Sequence, residues 1–122
     1  MNAEERMDYG AGRERRIRRQ ADLDALFRQG RRLADGRITL LARPNGLEFS
    51  RIGVAVSTGH GCAVRRNRIK RLCREALRLS RPVLPGGWDF LVVPRRGSEL
   101  ALAALRESVL RLAGRLAKEQ SS

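Results

Sequence analysis

The 122-residue sequence predicts an α/β fold, a small two-layer sandwich in the order α-β-β-α-β-α with helices packed on a small, mostly antiparallel sheet. Three observations predict it. Apolar residues recur at helical spacing through Ile69, Leu72, Cys73, Ala76 and Leu79, and again through Leu102, Leu105, Val109, Leu112 and Leu116. The run Phe90-Leu91-Val92-Val93 is apolar without alternation, as in a strand covered on both faces. Two β-type segments, Arg37–Arg43 and Leu47–Ser57, flank Pro44-Asn45-Gly46, a strong turn signal. A chain of this length forms one domain with a modest core.

Taken in order, Met1 to Gly12 is polar and Gly-punctuated and is expected to be a disordered N-terminal tail, leaving a single domain over 13–117 and a C-terminal tail over 118–122. Arg13–Arg19 holds five arginines and one Glu. Ala21–Gln29 reads as a short helix, with Asp22 as N-cap, Leu23, Leu26 and Phe27 on its apolar face and Gly30 as its stop. Ile38 and Thr39 favour a strand before the turn, and the alternation of Ile52, Val54 and Val56 with Arg51, Gly53 and Ala55 favours a second strand paired antiparallel to it. Thr58–Cys62 is a Gly-rich connection into a helix over Ala63–Leu79. Pro82 and Pro85-Gly86-Gly87 end that helix, and Trp88–Val93 follows as a central strand closed by Pro94. Ser98 caps the last helix, with Glu99 in its first turn.

Charge narrows the function. Lys and Arg total 26 against 13 Asp and Glu, a net charge of +13, and only Lys70 and Lys118 are lysines. Guanidinium groups chelate phosphate and stack on bases, so this balance suits a nucleic-acid partner. Ala63–Leu79 alone carries seven basic residues and one acid, Glu75. Arg66, Lys70 and Arg74 recur every fourth residue, with Arg65, Asn67, Arg68, Arg71 and Arg78 beside them. Like charges along one helix face repel, which a fold tolerates when that face is solvated or meets a polyanion. No run of about 18 apolar residues exists to span a bilayer, and the N-terminus lacks the apolar core of a signal peptide. Cys62 and Cys73 would lie about 16 Å apart on one helix, beyond disulfide reach, so both are expected as thiols in a cytoplasmic protein.

Catalytic side chains are not expected. His60 is the lone histidine, the two cysteines lack CxxC spacing, and no paired acids suit general acid/base work or a metal. Gly59-His60-Gly61 precedes a helix start, where amides are free to meet a phosphate, but it lacks the Lys-Ser/Thr of a nucleotide loop. If a reaction is served here, the partner supplies the chemistry.

The segment Ala63-Val64-Arg65-Arg66-Asn67-Arg68-Ile69-Lys70-Arg71-Leu72-Cys73-Arg74-Glu75 resembles the RNR signature of the bacterial ribonuclease P protein family. Arg51-Ile52-Gly53-Val54-Ala55-Val56-Ser57 is similar to the strand before that signature, Asp22–Gly30 to the family's first helix, and Trp88–Pro94 to its last strand. The resemblance covers about residues 13–117. It implies an RNA-binding domain with a left-handed βαβ crossover, an exception to the usual hand. It also implies a basic subunit bound to a catalytic RNA (ribonuclease P RNA), which removes the 5′ leader of precursor tRNA using Mg²⁺ held mainly by that RNA. Carried over by residue, Arg66, Arg68, Lys70 and Arg74 contact the RNA subunit or shape its docking face. Asn67 and Arg71 project toward a leader-binding cleft between the first helix and the sheet, where Phe27 stacks. No membrane and no protein partner are implied.

This chain departs from the family pattern at Thr58 and Gly59, where lysines are usual, and at Cys62, where a basic residue is common. Leu23 and Leu41 stand where the cleft often has aromatics, so leader binding is expected to lean more on Arg and less on stacking. The rival reading is a ribosomal-type structured-RNA binder with no part in cleavage. A DNA-binding module lacks a helix-turn-helix pair or a dimer seam, and a protein-only nuclease lacks an acidic metal cluster.

Overall fold

The computed structural model describes residues 16–97 and 100–121. The expected tail over 1–12 and the Ser98–Glu99 cap lie outside the described residues. The elements are α1 (Gln20–Gln29), β1 (Arg31–Ala34), β2 (Ile38–Pro44), β3 (Arg51–Val54), α2 (Ala63–Ser80), β4 (Trp88–Pro94) and α3 (Leu102–Ser121), with short 3-10 turns at Thr58–His60 and Arg81–Val83. The α/β class holds, with one strand more than expected: Arg31–Ala34 turns back on β2 in the register Leu33↔Leu40. Helix α3 continues through 118–121, where a tail was expected.

The sheet runs β1-β2-β4-β3. Here the expected β2–β3 hairpin is corrected. β2 pairs antiparallel with β4, Ile38↔Pro94 through Pro44↔Trp88, while β3 pairs parallel with β4, Arg51↔Asp89 through Val54↔Val92. The turn itself is present. Gly46 takes a positive φ of 74°. Asn45 holds the loop: its Oδ1 accepts from the Leu47 amide at 2.7 Å, and its Nδ2 donates to the Phe49 carbonyl at 3.2 Å. The chain then passes over the place that β4 fills later, and β3–α2–β4 becomes a parallel crossover unit.

Central β4 is buried on both faces, as its unbroken apolar run requires. Phe90 and Val92 meet Ile69, Cys73, Ala76 and Leu77 of α2 and Leu105, Val109, Leu112 and Leu116 of α3 in the main core. Leu91 faces the other way, into a smaller cluster with Ile17, Leu26 and Leu41 under α1. The two-layer body of sheet plus α2 and α3 therefore carries α1 on its opposite face. Gly30 is needed where α1 meets β1, since a Cβ there would stand 2.5 Å from the Leu26 carbonyl oxygen.

Asp22 is corrected as well. Arg19 occupies the N-cap position, and no side chain caps the helix. Asp22 sits in the first turn with its carboxylate 3.5 Å from the Arg51 guanidinium. Arg51 in turn makes a two-pronged bond to buried Asp89, at 2.8 and 2.6 Å, and Asn45 Nδ2 donates to the same carboxylate at 2.9 Å. The hydrogen bonds and charge of Asp89 push the Arg51 guanidinium above its ordinary value despite its burial. This cluster ties α1, β3, β4 and the Asn45 turn together at one end of the sheet.

Candidate nucleic-acid interface

The apolar stripe of α2 fixes its roll against the core, so the basic residues between those positions must face outward. Arg65, Asn67, Arg68, Arg71 and Arg78 are exposed, and Arg66, Lys70 and Arg74 are half-buried, their stems lying along the protein. Arg66 Nε donates to the Gly61 carbonyl at 3.1 Å, which holds that side chain at the helix start. Arg78 pairs with Glu75 through two bonds of 3.0 and 2.6 Å, and these hold the Glu75 carboxyl below its usual value. Among the described residues no carboxylate pairs with Arg65, Arg68, Lys70, Arg71 or Arg74. The result is a row of guanidinium groups with phosphate-binding capacity unspent.

A groove of about 460 Å³ lies between α2 and β3. Ile52 and Leu72 supply its apolar lining, and Arg16, Arg71, Arg74 and Arg81 surround them. Arg16 arrives because the segment before α1 bridges the free edge of β3, with the Ile17 amide donating to the Ile52 carbonyl at 2.8 Å. Burial, and then the nearby Arg16 charge, lower the proton affinity of Arg74.

Toward the start of α2, His60 is buried in the fold. Its Nε2 donates to the Pro94 carbonyl oxygen at 3.0 Å, clasping the loop to the end of β4. Gly59 lies against the Arg96 side chain so closely that a Cβ would meet its Cδ at 2.6 Å. Cys62 is exposed at the N-cap position of α2, and the backbone amide of Arg65, followed by that of Val64, draws its thiol below the ordinary value. Cys73 is the opposite: burial pushes its thiol up to about 12. Among the described residues no three His, Cys, Asp or Glu side chains gather to hold a metal ion.

The residues expected to form the leader cleft separate. Phe27 is 45% exposed on α1, and half-buried Leu23 packs beside it onto the small cluster. Leu41, expected to line the cleft, is only 1% exposed because Ile17, Leu26 and Leu91 close over it, so it offers no surface. Arg71 lines the groove beside β3, and Asn67 stands exposed in the second turn of α2. The groove residues Arg16, Ile52 and Arg81 were not singled out by the sequence. The Arg13–Arg19 run was a signal for one of them, but its place beside β3 depends on a long-range bridge.

A family model described as Ribonuclease P matches residues 12–117. The chain belongs to the ribonuclease P protein family. It is 39% identical over 84 residues to the ribonuclease P protein component of Thermotoga maritima, covering 69% of this chain and 72% of that one. It is 38% identical over 97 residues to that of Pelotomaculum thermopropionicum, covering 79% and 87%. The solved structure of the Thermotoga maritima ribonuclease P protein superposes with a TM-score of 0.72 at 34% identity, over 82% of this chain and 96% of that one. A mutant Staphylococcus aureus ribonuclease P protein, 23% identical, shares the fold with a TM-score of 0.78 over 97% of this chain. As a ribonuclease P protein component, the chain is a subunit of the ribonucleoprotein endoribonuclease of tRNA 5′ maturation, and its partner is ribonuclease P RNA. No helix among the described residues is long and apolar enough to cross a membrane.

Proposed function

We propose that the outward face of α2 grips the catalytic RNA while the α1 side of the sheet holds the 5′ leader of precursor tRNA. The observation that carries this is the row of α2 basic residues, Arg65, Arg68, Lys70, Arg71 and Arg74, that pair with no carboxylate among the described residues, which leaves a concentrated positive field on one rigid face. Arg65, Arg66, Arg68, Lys70, Arg74 and Arg78 supply phosphate contacts, Asn67 and Arg71 reach toward the substrate strand, and exposed Phe27 stacks on a leader base. Mg²⁺ is held mainly by the RNA and supplies metal-assisted hydrolysis there. The protein's residues neutralise phosphates that otherwise repel at low Mg²⁺. The complex works in the cytoplasm without a further protein partner.

The deciding experiment is precursor-tRNA cleavage at low Mg²⁺ by a bacterial ribonuclease P RNA, with and without the purified protein. Cleavage restored at the mature 5′ end is the expected result. RNA binding without stimulation would favour a general structured-RNA binder instead. If roughly six phosphates are contacted, the log–log salt slope of affinity is about −4 to −5. Arg66→Ala with Arg74→Ala weakens binding of the RNA subunit. Phe27→Ala leaves that binding in place and costs about 1–3 kcal/mol of the preference for precursor over mature tRNA, the worth of one stacked base.

A further inference from the structure

The groove between α2 and β3 has two kinds of lining at once. Half-buried Leu72 offers apolar surface over a floor formed by Ile52, which is only 4% exposed, and the arginines around them offer charge. Its volume of about 460 Å³ is that of a small-molecule pocket rather than a backbone track. Arg16 and Arg74 approach each other from separate parts of the chain, and among the described residues no carboxylate pairs with either. Two like charges lining one groove repel, and an anion between them relieves that repulsion. Glu75 also lines the groove, and its carboxylate keeps acceptor capacity beyond the two bonds from Arg78. An acceptor of that kind matches the ring N–H and amino group of a guanine edge.

We infer that this groove is a pocket for one unpaired nucleotide of the catalytic RNA, its phosphate held between Arg16 and Arg74 and its base laid against Leu72 above the buried Ile52. Resting on the reading of the chain as an RNA-gripping subunit, it adds a specific socket to a surface otherwise described by charge. The groove lies on the side of β3 that faces α2, whereas Phe27 lies on the α1 side, so the socket is separate from the stacking position of Phe27. Arg16 converts an otherwise open sheet edge into one wall of the socket.

The test has two arms. In the first, amide NMR shifts of the full chain are followed on titration with guanosine 5′-monophosphate, and with inorganic phosphate at the same ionic strength. The Ile52 and Leu72 amides are expected to move with the nucleotide and not with phosphate, and the Arg16 amide with both. Arg16→Ala, and independently Arg81→Ala, should weaken that response severalfold, while Phe27→Ala leaves it unchanged. Equal movement of the Ile52 and Leu72 amides with phosphate, movement confined to α1, or no movement overturns the proposal. In the second arm, base-modifying probes are applied to the holoenzyme at saturating protein. The wild type should protect one unpaired nucleotide of the RNA subunit that Arg16→Ala exposes. Protection on the precursor instead, or protection that survives Arg16→Ala, also overturns it. The titration reads the protein alone, so its failure leaves the low-Mg²⁺ cleavage result standing, and failure of cleavage leaves the titration standing.

Discussion

Helices α2 and α3 both bury an apolar stripe in the main core, yet they use charge in opposite ways. On α3, Arg111 reaches Glu107 on its own helix and Asp35 in the β1–β2 turn, and Glu119 pairs with Arg31 of β1. Its charges close the protein on itself. On α2, seven basic residues share one acid, and among the described residues the Glu75–Arg78 pair is the only ion pair the helix makes. Amphipathicity is therefore common to both helices and says nothing about function. What separates a docking helix from a closing helix is whether its charges already have partners inside the fold.

The largest effect expected from that contrast is on RNA affinity. Replacing Arg65, Arg68 and Lys70 together by Ala should weaken binding of the RNA subunit by on the order of a thousandfold, taking about tenfold per charge-assisted contact. The same variant should flatten the salt slope by about 2–3. On α3, Arg111→Ala, which removes an already partnered charge, should leave both quantities nearly unchanged. Filter binding across a salt series checks all four values. If the two variants behave alike, affinity follows net charge alone and the contrast between the helices breaks.

A smaller effect is expected on stability, and it belongs to α3. Burial alone would raise the Asp35 carboxyl, but hydrogen bonds from the Ile38 amide, the Ser108 hydroxyl and the Arg37 amide, with the charge of Arg111, hold it below its usual value. A carboxyl depressed in the folded state contributes stability that is fully present above its unfolded value, about 3.9. That contribution is lost as pH falls through the lower folded value. Asp35→Asn should remove this part of the acid sensitivity, seen as a flatter dependence of the urea midpoint on pH. Arg111→Ala should cost on the order of 0.5–1 kcal/mol, as for an exposed pair. Both variants should bind RNA at neutral pH like the parent. A loss of RNA affinity with Arg111→Ala would put α3 in the interface.

Local periodicity carried the sequence reading where structure is local. The stripes of α2 and α3, the doubly buried β4 and the turn at Asn45 all follow from neighbouring residues, as does the uncompensated charge of α2. Strand β1 escaped because four residues with one inward side chain, Leu33, are too few for alternation to show. The partner of β3 was misread because Pro44-Asn45-Gly46 signals a hairpin, whereas β4 arrives 34 residues after the last residue of β3 and takes the inner position. Asp22 looked like a cap because a cap is a local solution, and its carboxylate is instead committed to Arg51 across the fold. The site divided in the same way. The arginines of one helix were legible as a row, but the groove needs Arg16, Ile52 and Arg81 from separate parts of the chain. Leu41 shows the reverse error, because a position expected from the family resemblance to line the cleft is sealed here beneath α1.

The smallest expected effect sharpens where the docking face of α2 begins. Cys62 is exposed with its thiol drawn down by the amides of Arg65 and Val64, whereas Cys73 is buried with its thiol pushed up to about 12. Native protein should therefore react with alkylating reagents at Cys62 alone, and mass spectrometry of the product checks this. Bromoethylamine would then place a single ammonium group at the head of the helix. If that position meets the RNA, the salt slope should steepen by about 0.7–0.9, the share of one phosphate contact. Iodoacetamide, which adds bulk without charge, should leave the slope where it was. An unchanged slope with both reagents would place Cys62 outside the contact, so that the docking face starts at Arg65 and Arg66, where the Arg66 bond to Gly61 already fixes the first guanidinium.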